Sequence, residues 1–255
     1  MALFFAFEGG DGSGKTTQAG LLFNHLCREK RSVRLLAEPG GTALGDYVRD
    51  LFVLPREVRV GRGLKYILTS AGKGPQIPFD VLVHMTPETE LFLFSAARAQ
   101  LVSEEIRPSL QKGISVVCVR YVYSTLAYQG FGRGMDLDFV RRVCQTATGG
   151  LLPDMAFLLD IDPAQALRRK GGSEEASRFE AEELVFHQRI REGYLQLARE
   201  DPGRWTVLDA SRPKRKIAEE IYSAVMARLG DGPHESPAKK SGPQVSQKWP
   251  QDKML

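Results

Sequence analysis

Residues 4–17 read FFAFEGGDGSGKTT, and this stretch decides the fold. It begins with the short apolar run Phe4 to Phe7, passes through a glycine-rich loop and continues into a segment with helical spacing from Thr16 to Arg28. Gly9 and the later Gly14-Lys15-Thr16 complete the pattern G-x-x-x-x-G-K-T. A strand, this loop and a helix in that order predict a phosphate-binding loop, whereas an ordinary glycine-rich turn lacks such flanking elements.

The loop predicts ATP binding by simple electrostatics. Glycines let consecutive backbone N–H groups turn towards phosphates, and the start of a helix adds partial positive charge. We expect Lys15 to reach the outer phosphates and the Thr16 hydroxyl to hold Mg²⁺. The predicted ATP-binding residues are Gly9, Gly10, Asp11, Gly12, Ser13, Gly14, Lys15, Thr16 and Thr17.

Strand-like and helix-like segments alternate along the rest of the chain. Short branched or aromatic runs predict strands at Val33 to Ala37, Ile114 to Val119, Met155 to Leu159 and Trp205 to Leu208. Helical spacing predicts helices at Thr89 to Gln111, Asp136 to Ala147, Ala181 to Ala198 and Ile217 to Leu229. This alternation predicts an α/β fold over residues 1–230, with a P-loop NTPase-type parallel sheet of about five strands and helices on both faces.

Two segments depart from the alternation. Residues 55–86 carry five basic against two acidic side chains, and the difference of +3 marks a basic insert. Within it, Leu64 to Thr69 and Phe79 to Met85 are candidate arms of a hairpin, with a helix as the alternative. Residues 231–255 are rich in Pro, Gly, Ser, Gln and Lys, so we expect a disordered tail.

Composition limits the cellular setting. The chain has 255 residues, 42% of them hydrophobic, and a formal net charge of +4, which suits an anionic ligand without implying nucleic acid. Cys27, Cys118 and Cys144 lack the paired spacing of a zinc site and the even count of a disulfide framework. No apolar stretch reaches the length of a membrane span. A cytoplasmic protein without a membrane or nucleic-acid partner is expected.

Several blocks of sequence resemble the thymidylate kinase family, in the family's order. Phe7 to Gln18 is similar to the opening of these kinases, and Glu38-Pro39-Gly40-Gly41-Thr42 resembles the segment beside their acceptor. Arg120 to Gly130, followed by Gly132-Arg133-Gly134, resembles their DRY-to-AYQG signature. The resemblance implies transfer of a phosphoryl group from ATP to dTMP with Mg²⁺, and it implies a homodimer.

The resemblance also implies roles for acceptor-site residues. Phe94 would stack on thymine, Arg98 would bond the base edge, and Arg120 would clamp the acceptor phosphate. By themselves, Phe94 and Arg98 favour a core phenylalanine and a surface arginine, and the block around Tyr128 also fits a polar loop. The substrate-binding residues implied are Asp11, Glu38, Arg49, Phe94, Arg98, Arg120, Thr125, Tyr128 and Gln129.

A basic segment at 168–180 is the expected lid over the triphosphate. Gly12 stands where some family members place a catalytic arginine, so we expect the lid to supply one. Arg169 is the first candidate. The catalytic set predicted from the sequence is Lys15, Arg120 and Arg169.

Three positions depart from the family pattern on the acceptor side. Val119 stands where the family has an aspartate before Arg120, Ala37 replaces an arginine, and Ala97 replaces an aspartate. Valine cannot hold metal water or accept a proton. Two alternatives therefore stay open, a kinase for another acceptor and a nucleotide-binding protein that no longer catalyses transfer.

Overall fold

The computed structural model describes residues 2–52, 66–67, 77–78, 85–170, 179 and 182–230. The strands are β1 (Phe4–Glu8), β2 (Val33–Ala37), β3 (Tyr66–Ile67), β4 (Ile77–Pro78), β5 (Ser115–Val119), β6 (Met155–Asp160) and β7 (Trp205–Asp209). The α-helices span Lys15–Arg28, Ala43–Phe52, Pro87–Leu101, Arg107–Gln111, Val122–Thr125, Leu137–Thr148, Pro163–Lys170, Leu184–Glu200 and Lys214–Leu229. The π-helical segments are Val102–Ile106 and Leu126–Gly132.

A five-stranded parallel sheet forms the centre of the fold, in the order β2-β5-β1-β6-β7. Every residue of β1 is buried, and Ala6 pairs with Cys118 on β5 and with Ala156 on β6. Continuous apolar strands of this kind are typical of a parallel sheet covered on both faces. The predicted α/β fold with five parallel strands is confirmed.

Successive side chains of β1 point to opposite faces of the sheet and enter separate apolar clusters. Phe4 packs in the cluster that includes Leu91 and Leu101 of the helix Pro87–Leu101. Phe5 packs in the cluster formed with the helix Lys15–Arg28. Helices therefore cover both faces, as the sequence predicts.

The parallel strands end at one edge of the sheet and bring polar groups together there. Glu8 ends β1, Glu38 follows β2, Arg120 follows β5 and Asp160 ends β6. Open α/β sheets bind ligands at this edge. The polar groups at this edge of the sheet therefore form the candidate site.

Some elements differ from the prediction. The expected helix Thr89 to Gln111 is interrupted by the π-helical turn Val102–Ile106. The helices Ala43–Phe52 and Pro163–Lys170 were not predicted, because turn residues just before each of them hid the short helical spacing. The helix Val122–Thr125 was also missed.

The predicted hairpin is present as a short antiparallel pair. β3 lies inside the first predicted arm, and Tyr66 and Ile67 pair with Pro78 and Ile77. β4 comes just before the second predicted arm, so that prediction was displaced towards the C-terminus. The rest of the insert 55–86 up to residue 84, most of the lid 168–180 and the whole tail 231–255 lie outside the described residues.

No helix in the described part of the chain is long and apolar enough to cross a membrane.

Candidate active site

The phosphate-binding loop joins β1 to the helix Lys15–Arg28, as predicted. Gly14 caps that helix with φ +92°, a left-handed conformation that glycine adopts without strain. Lys15 is 5% exposed, and its Nζ donates to the Gly10 carbonyl at 2.7 Å. Thr16 and Thr17 are exposed at the helix start. The loop therefore presents backbone N–H groups, an ammonium group and hydroxyl groups at one end of a helix.

Gly12 lies against the helix Pro163–Lys170. Its φ is +74°, and a Cβ atom built on it would lie 2.2 Å from the Ala166 carbonyl oxygen. Backbone cannot give way as the tip of a side chain can. An arginine at position 12 is therefore incompatible with this packing, which supplies a physical reason for the glycine that the sequence shows there.

A cavity opens to solvent beside the loop. Most of its lining comes from residues that the sequence nominated for the acceptor. The lining residues are Asp11, Glu38, Pro39, Phe52, Phe94, Arg98, Arg120, Ser124, Thr125, Tyr128, Gln129 and Phe179.

Arg120 connects the loop to this cavity. It has the left-handed φ of +67°, and Nη2 donates to Asp11 Oδ1 at 2.5 Å and to the Tyr128 hydroxyl at 3.2 Å. Tyr128 in turn donates to Asp11 Oδ2 at 3.0 Å. Burial alone lowers the pKa of Arg120, but Tyr128 and Asp11 raise it above its ordinary value. A guanidinium therefore stays charged at the point where the loop meets the cavity.

Glu8 lies directly behind Arg120 and is fully buried. It accepts hydrogen bonds from Ser124 Oγ at 2.6 Å, from the Tyr121 backbone N–H at 2.8 Å and from the Tyr194 hydroxyl at 3.1 Å. Ser124 Oγ also accepts from Arg120 Nη1 at 3.2 Å. Burial raises the pKa of Glu8 to about 7. The carboxyl group therefore fixes the backbone that follows the strained Arg120.

Arg98 makes a buried ion pair with Glu38. Nε and Nη2 contact Glu38 Oε2 at 2.8 and 2.6 Å, and Nη1 donates to Thr125 Oγ1 at 2.9 Å. Nη2 also donates to the Tyr121 carbonyl at 3.1 Å. Each nitrogen of Arg98 thus has a protein partner, and burial raises the pKa of Glu38. Glu38 Oε1 is buried and has no hydrogen-bond partner within the described residues.

An aromatic stack lines the other side of the cavity. Phe94 lies parallel to Phe52 with ring centroids 4.2 Å apart. Phe179, which comes from the lid segment, is 6.0 Å from Phe94 and packs edge-on against Tyr128 at 5.2 Å. These flat apolar faces suit an aromatic ring, with the polar Arg98 group beside them.

Arg49, predicted for the acceptor, and Arg169, predicted for the lid, lie outside the cavity lining. Arg49 donates through Nε to the Pro39 carbonyl at 2.7 Å and so braces the turn that carries Glu38. Arg169 is exposed and donates to the Ala210 carbonyl at 2.8 Å. The part of the lid from residue 171 to 178 lies outside the described residues. The role of Arg169 stays a prediction.

Val119 is 4% exposed and packs in the apolar cluster with Phe7 and Ala37. Its backbone carbonyl accepts from the Glu38 N–H at 2.9 Å. The position therefore contributes packing and backbone geometry. No observation on the described residues favours a protein that has lost catalysis.

The sequence missed several residues of the site. Glu8 carried a usable signal, because a carboxylate that ends a wholly apolar strand needs buried partners. Phe52 and Phe179 carried none, since neither stands in a recognisable motif. Glu90, a buried carboxylate on the helix Pro87–Leu101, was hidden among other charged residues.

A phosphate-binding loop beside an aromatic and cationic cavity is the arrangement of a P-loop kinase, which uses a phosphoryl donor and a small acceptor. Residues 7–68 and 81–221 match the thymidylate kinase family. The chain belongs to this family.

Individual relatives agree with the family match. A thymidylate kinase of Roseiflexus castenholzii is 42% identical over 246 residues, which are 91% of this chain and 96% of the relative. A thymidylate kinase of Roseiflexus sp. strain RS-1 is 44% identical over 88% of this chain and 94% of its own length. The thymidylate kinase of Deinococcus radiodurans is 40% identical over 89% and 98%. The sequence-based recognition is confirmed.

Proposed function

We propose that this protein transfers the γ-phosphoryl group of ATP to dTMP, giving ADP and dTDP. The observation that carries the proposal is Arg120, which contacts Asp11 of the phosphate loop and Tyr128 of the cavity at once. A guanidinium in this place suits two phosphate groups brought together. The family match supports the nucleotide acceptor.

The reaction demands little covalent chemistry from the protein. An oxygen of the dTMP phosphate attacks the γ-phosphorus, and the bond from that phosphorus to the β–γ bridging oxygen breaks as ADP leaves. The second pKa of a phosphate monoester is about 6, so the attacking oxygen carries no proton at neutral pH. Transfer to this acceptor needs no general base, and a valine at position 119 is compatible with it.

The residues of the chain act by holding charge and geometry. Lys15 lies at the outer phosphates, Arg120 neutralises the acceptor phosphate, and the stack of Phe52 and Phe94 holds the base. Tyr128 stands beside Arg120, where its ring would crowd a ribose 2′-hydroxyl. Arg169 is proposed to reach the triphosphate from the lid. Alignment and charge neutralisation supply most of the rate in such transfers.

Mg²⁺ enters the proposal together with ATP. Mg²⁺ on nucleotide phosphates needs few protein ligands and keeps several waters. The exposed Thr16 hydroxyl fits that requirement, and the described residues form no cluster of three or more carboxylate, imidazole or thiol ligands. When bound, the ion neutralises charge on the β- and γ-phosphates.

A homodimer and a cytoplasmic location complete the proposal. Leu44, Tyr47 and Phe92 are exposed on helices that pack against each other, and Phe92 is 53% exposed. Large exposed apolar side chains of this kind suit an interface. Light scattering coupled to gel filtration tests the dimer, and a monomer at micromolar concentration would contradict it.

An acceptor panel tests the proposed activity. ADP release is measured with ATP, Mg²⁺ and each of dTMP, dUMP, dCMP, dAMP, dGMP and UMP. We expect the highest kcat/KM with dTMP. Equal or better turnover of another acceptor would show that the acceptor is misassigned, and ATP binding without turnover of any acceptor would refute the kinase activity.

A further inference from the structure

The amide of Gln129 is oriented by a carboxylate behind the cavity. Gln129 lines the cavity and is 1% exposed, and its Nε2 donates to Glu90 Oε2 at 3.3 Å. A carboxylate has no proton to donate, so only the NH₂ end of the amide can face Glu90. The backbone carbonyl of Gln129 accepts from the Met135 N–H, but within the described residues no group donates to Oε1, the side-chain carbonyl oxygen. That oxygen is therefore the end of the amide available to a ligand.

Glu90 is itself held rigidly by Arg133. Arg133 Nε contacts Glu90 Oε2 at 3.1 Å, and Nη2 contacts Oε1 at 3.0 Å, while Glu90 is 0% exposed. This two-point pairing fixes the plane of the carboxylate. The remaining nitrogen, Nη1, pairs with Glu182 at 2.7 Å, and the guanidinium lies 4.6 Å from the Phe186 ring centroid. Glu90 therefore has little freedom to rotate.

The neighbouring hydroxyl supplies the opposite polarity. Thr125 Oγ1 accepts from Arg98, so its own hydrogen is left to donate. Both Thr125 and Gln129 line the cavity with the aromatic stack. A ligand ring that lies on the stack meets a donor from Thr125 and an acceptor from Gln129.

We propose that Glu90 and Arg133 are positioning residues that hold the side-chain carbonyl of Gln129 towards the acceptor base. This orientation selects a pyrimidine with an N3–H group. Thymine and uracil carry this proton, whereas cytosine has a lone pair at N3. The inference rests on the proposed function, because it takes a pyrimidine monophosphate as acceptor. Neither residue contacts the substrate, and each acts through Gln129.

The first arm of the test changes only the substrate. Wild-type protein is assayed with dTMP, dUMP, dCMP and 3-methylthymidine monophosphate, in which a methyl group replaces the N3 proton. We expect kcat/KM to fall at least a hundredfold for dCMP and for the methylated nucleotide, because a buried acceptor is left unpaired. With dUMP, which lacks one methyl group but keeps N3–H, the loss should be about tenfold.

The second arm compares Glu90→Gln with Glu182→Gln. Both variants remove one anionic partner of Arg133. Only Glu90→Gln allows the Gln129 amide to rotate by 180°, which would exchange its NH₂ group and its oxygen. We expect the ratio of kcat/KM for dTMP over dCMP to fall about tenfold in Glu90→Gln, the effect of one hydrogen bond. Glu182→Gln should keep the wild-type ratio within twofold. The KM for ATP should be unchanged in Glu90→Gln.

Several results would overturn the inference. One is an unchanged dTMP/dCMP ratio of kcat/KM in folded Glu90→Gln. The others are an equal fall of that ratio in Glu182→Gln and turnover of 3-methylthymidine monophosphate at the dTMP rate. If Glu90→Gln does not fold, Arg133→Lys replaces it, because lysine keeps the charge but cannot make the two-point pairing with Glu90; the same fall in the dTMP/dCMP ratio is expected, and an unchanged ratio would overturn the inference. Preference for dUMP over dTMP with rejection of dCMP would refute the proposed function and support this inference, whereas preference for dCMP would refute both.

Discussion

The phosphate loop occupies eight consecutive residues, Gly9 to Thr16, whereas the cavity proposed for the acceptor is lined by residues from Asp11, in the loop itself, to Phe179. The loop works mainly through backbone N–H groups that any glycine-rich sequence of this spacing can direct. The cavity is formed by side chains, and some of them are joined in buried ion pairs such as that of Arg98 with Glu38. We therefore propose that donor recognition depends on a few neighbouring residues, whereas acceptor recognition depends on contacts between distant segments.

This difference predicts that substitutions separate into two kinetic classes. Changes in the loop should affect ATP and leave acceptor binding intact, and changes in the cavity should do the reverse. Arg120 lies where the two regions meet, so it is the most direct test of how far they are independent.

The largest effect is expected for Lys15→Ala. Loss of the ammonium group at the outer phosphates should lower kcat about 10³-fold, as for other groups that stabilise transition-state charge. Equilibrium binding of dTMP, measured by calorimetry, should change less than twofold. Lys112→Ala, at the opposite edge of the sheet, is the control and should keep wild-type activity. A matching loss of dTMP affinity would show that the two regions are coupled.

Arg120→Lys should cost about 10²-fold in kcat/KM for dTMP. Lysine keeps the charge but loses the planar fork that contacts Asp11, Ser124 and Tyr128. Steady-state kinetics with each substrate varied in turn should place the loss on dTMP, with the KM for ATP within twofold. Arg141→Lys, in an exposed pair, is the control. An equal rise in the KM for ATP would assign Arg120 to the donor side.

Glu8→Gln tests whether the buried Glu8 carboxyl group makes the free energy of unfolding depend on pH. The folded-state pKa is raised from 4.5 to about 7, so the protonated form is favoured by folding and stability is lost as pH rises through this window. Wild type should lose about 3 kcal/mol of unfolding free energy relative to Glu8→Gln between pH 4 and pH 8. Urea unfolding at several pH values measures it. Parallel pH profiles of the two proteins would contradict the assignment.

Tyr128→Phe should give the smallest effect. It removes the hydroxyl that bonds Arg120 and Asp11 but keeps the ring against Phe179, so kcat/KM for dTMP should fall about fivefold. Tyr222→Phe, away from the site, is the matched control. Turnover of UMP should stay low in Tyr128→Phe, because the ring still fills the space that a ribose 2′-hydroxyl would need. A large gain in UMP turnover would show that the Tyr128 hydroxyl, not the ring, excludes ribonucleotides.

The sequence was sufficient for the parts of the molecule whose signal is local. The five strands of the parallel sheet and the loop from Gly9 to Thr16 were all predicted, because strand periodicity and glycine spacing act over a few residues. The pairing of Arg98 with Glu38 was not, although both residues were nominated. Their contact depends on how β2 and the helix Pro87–Leu101 pack, which no short pattern encodes.

The aromatic and buried-charge surroundings escaped prediction for the same reason. Phe52 and Phe179 become part of one stack only after the chain folds. The proposed role of Glu90 depends on its contacts with Arg133 and Gln129, which also form only in the folded chain. The resemblance to the family placed the residues expected to touch substrate. It carried no information on the residues that hold them in place.

The close approach of Gly12 to the Ala166 carbonyl also bears on how this kinase can change over evolution. A single Gly12→Arg substitution is blocked unless the helix Pro163–Lys170 first moves away. That helix leads into the segment from which a lid arginine would come, so relocation of the arginine requires at least two coordinated changes. We therefore expect position 12 and this helix to constrain each other, so that a side chain at position 12 is accepted only after the helix has changed.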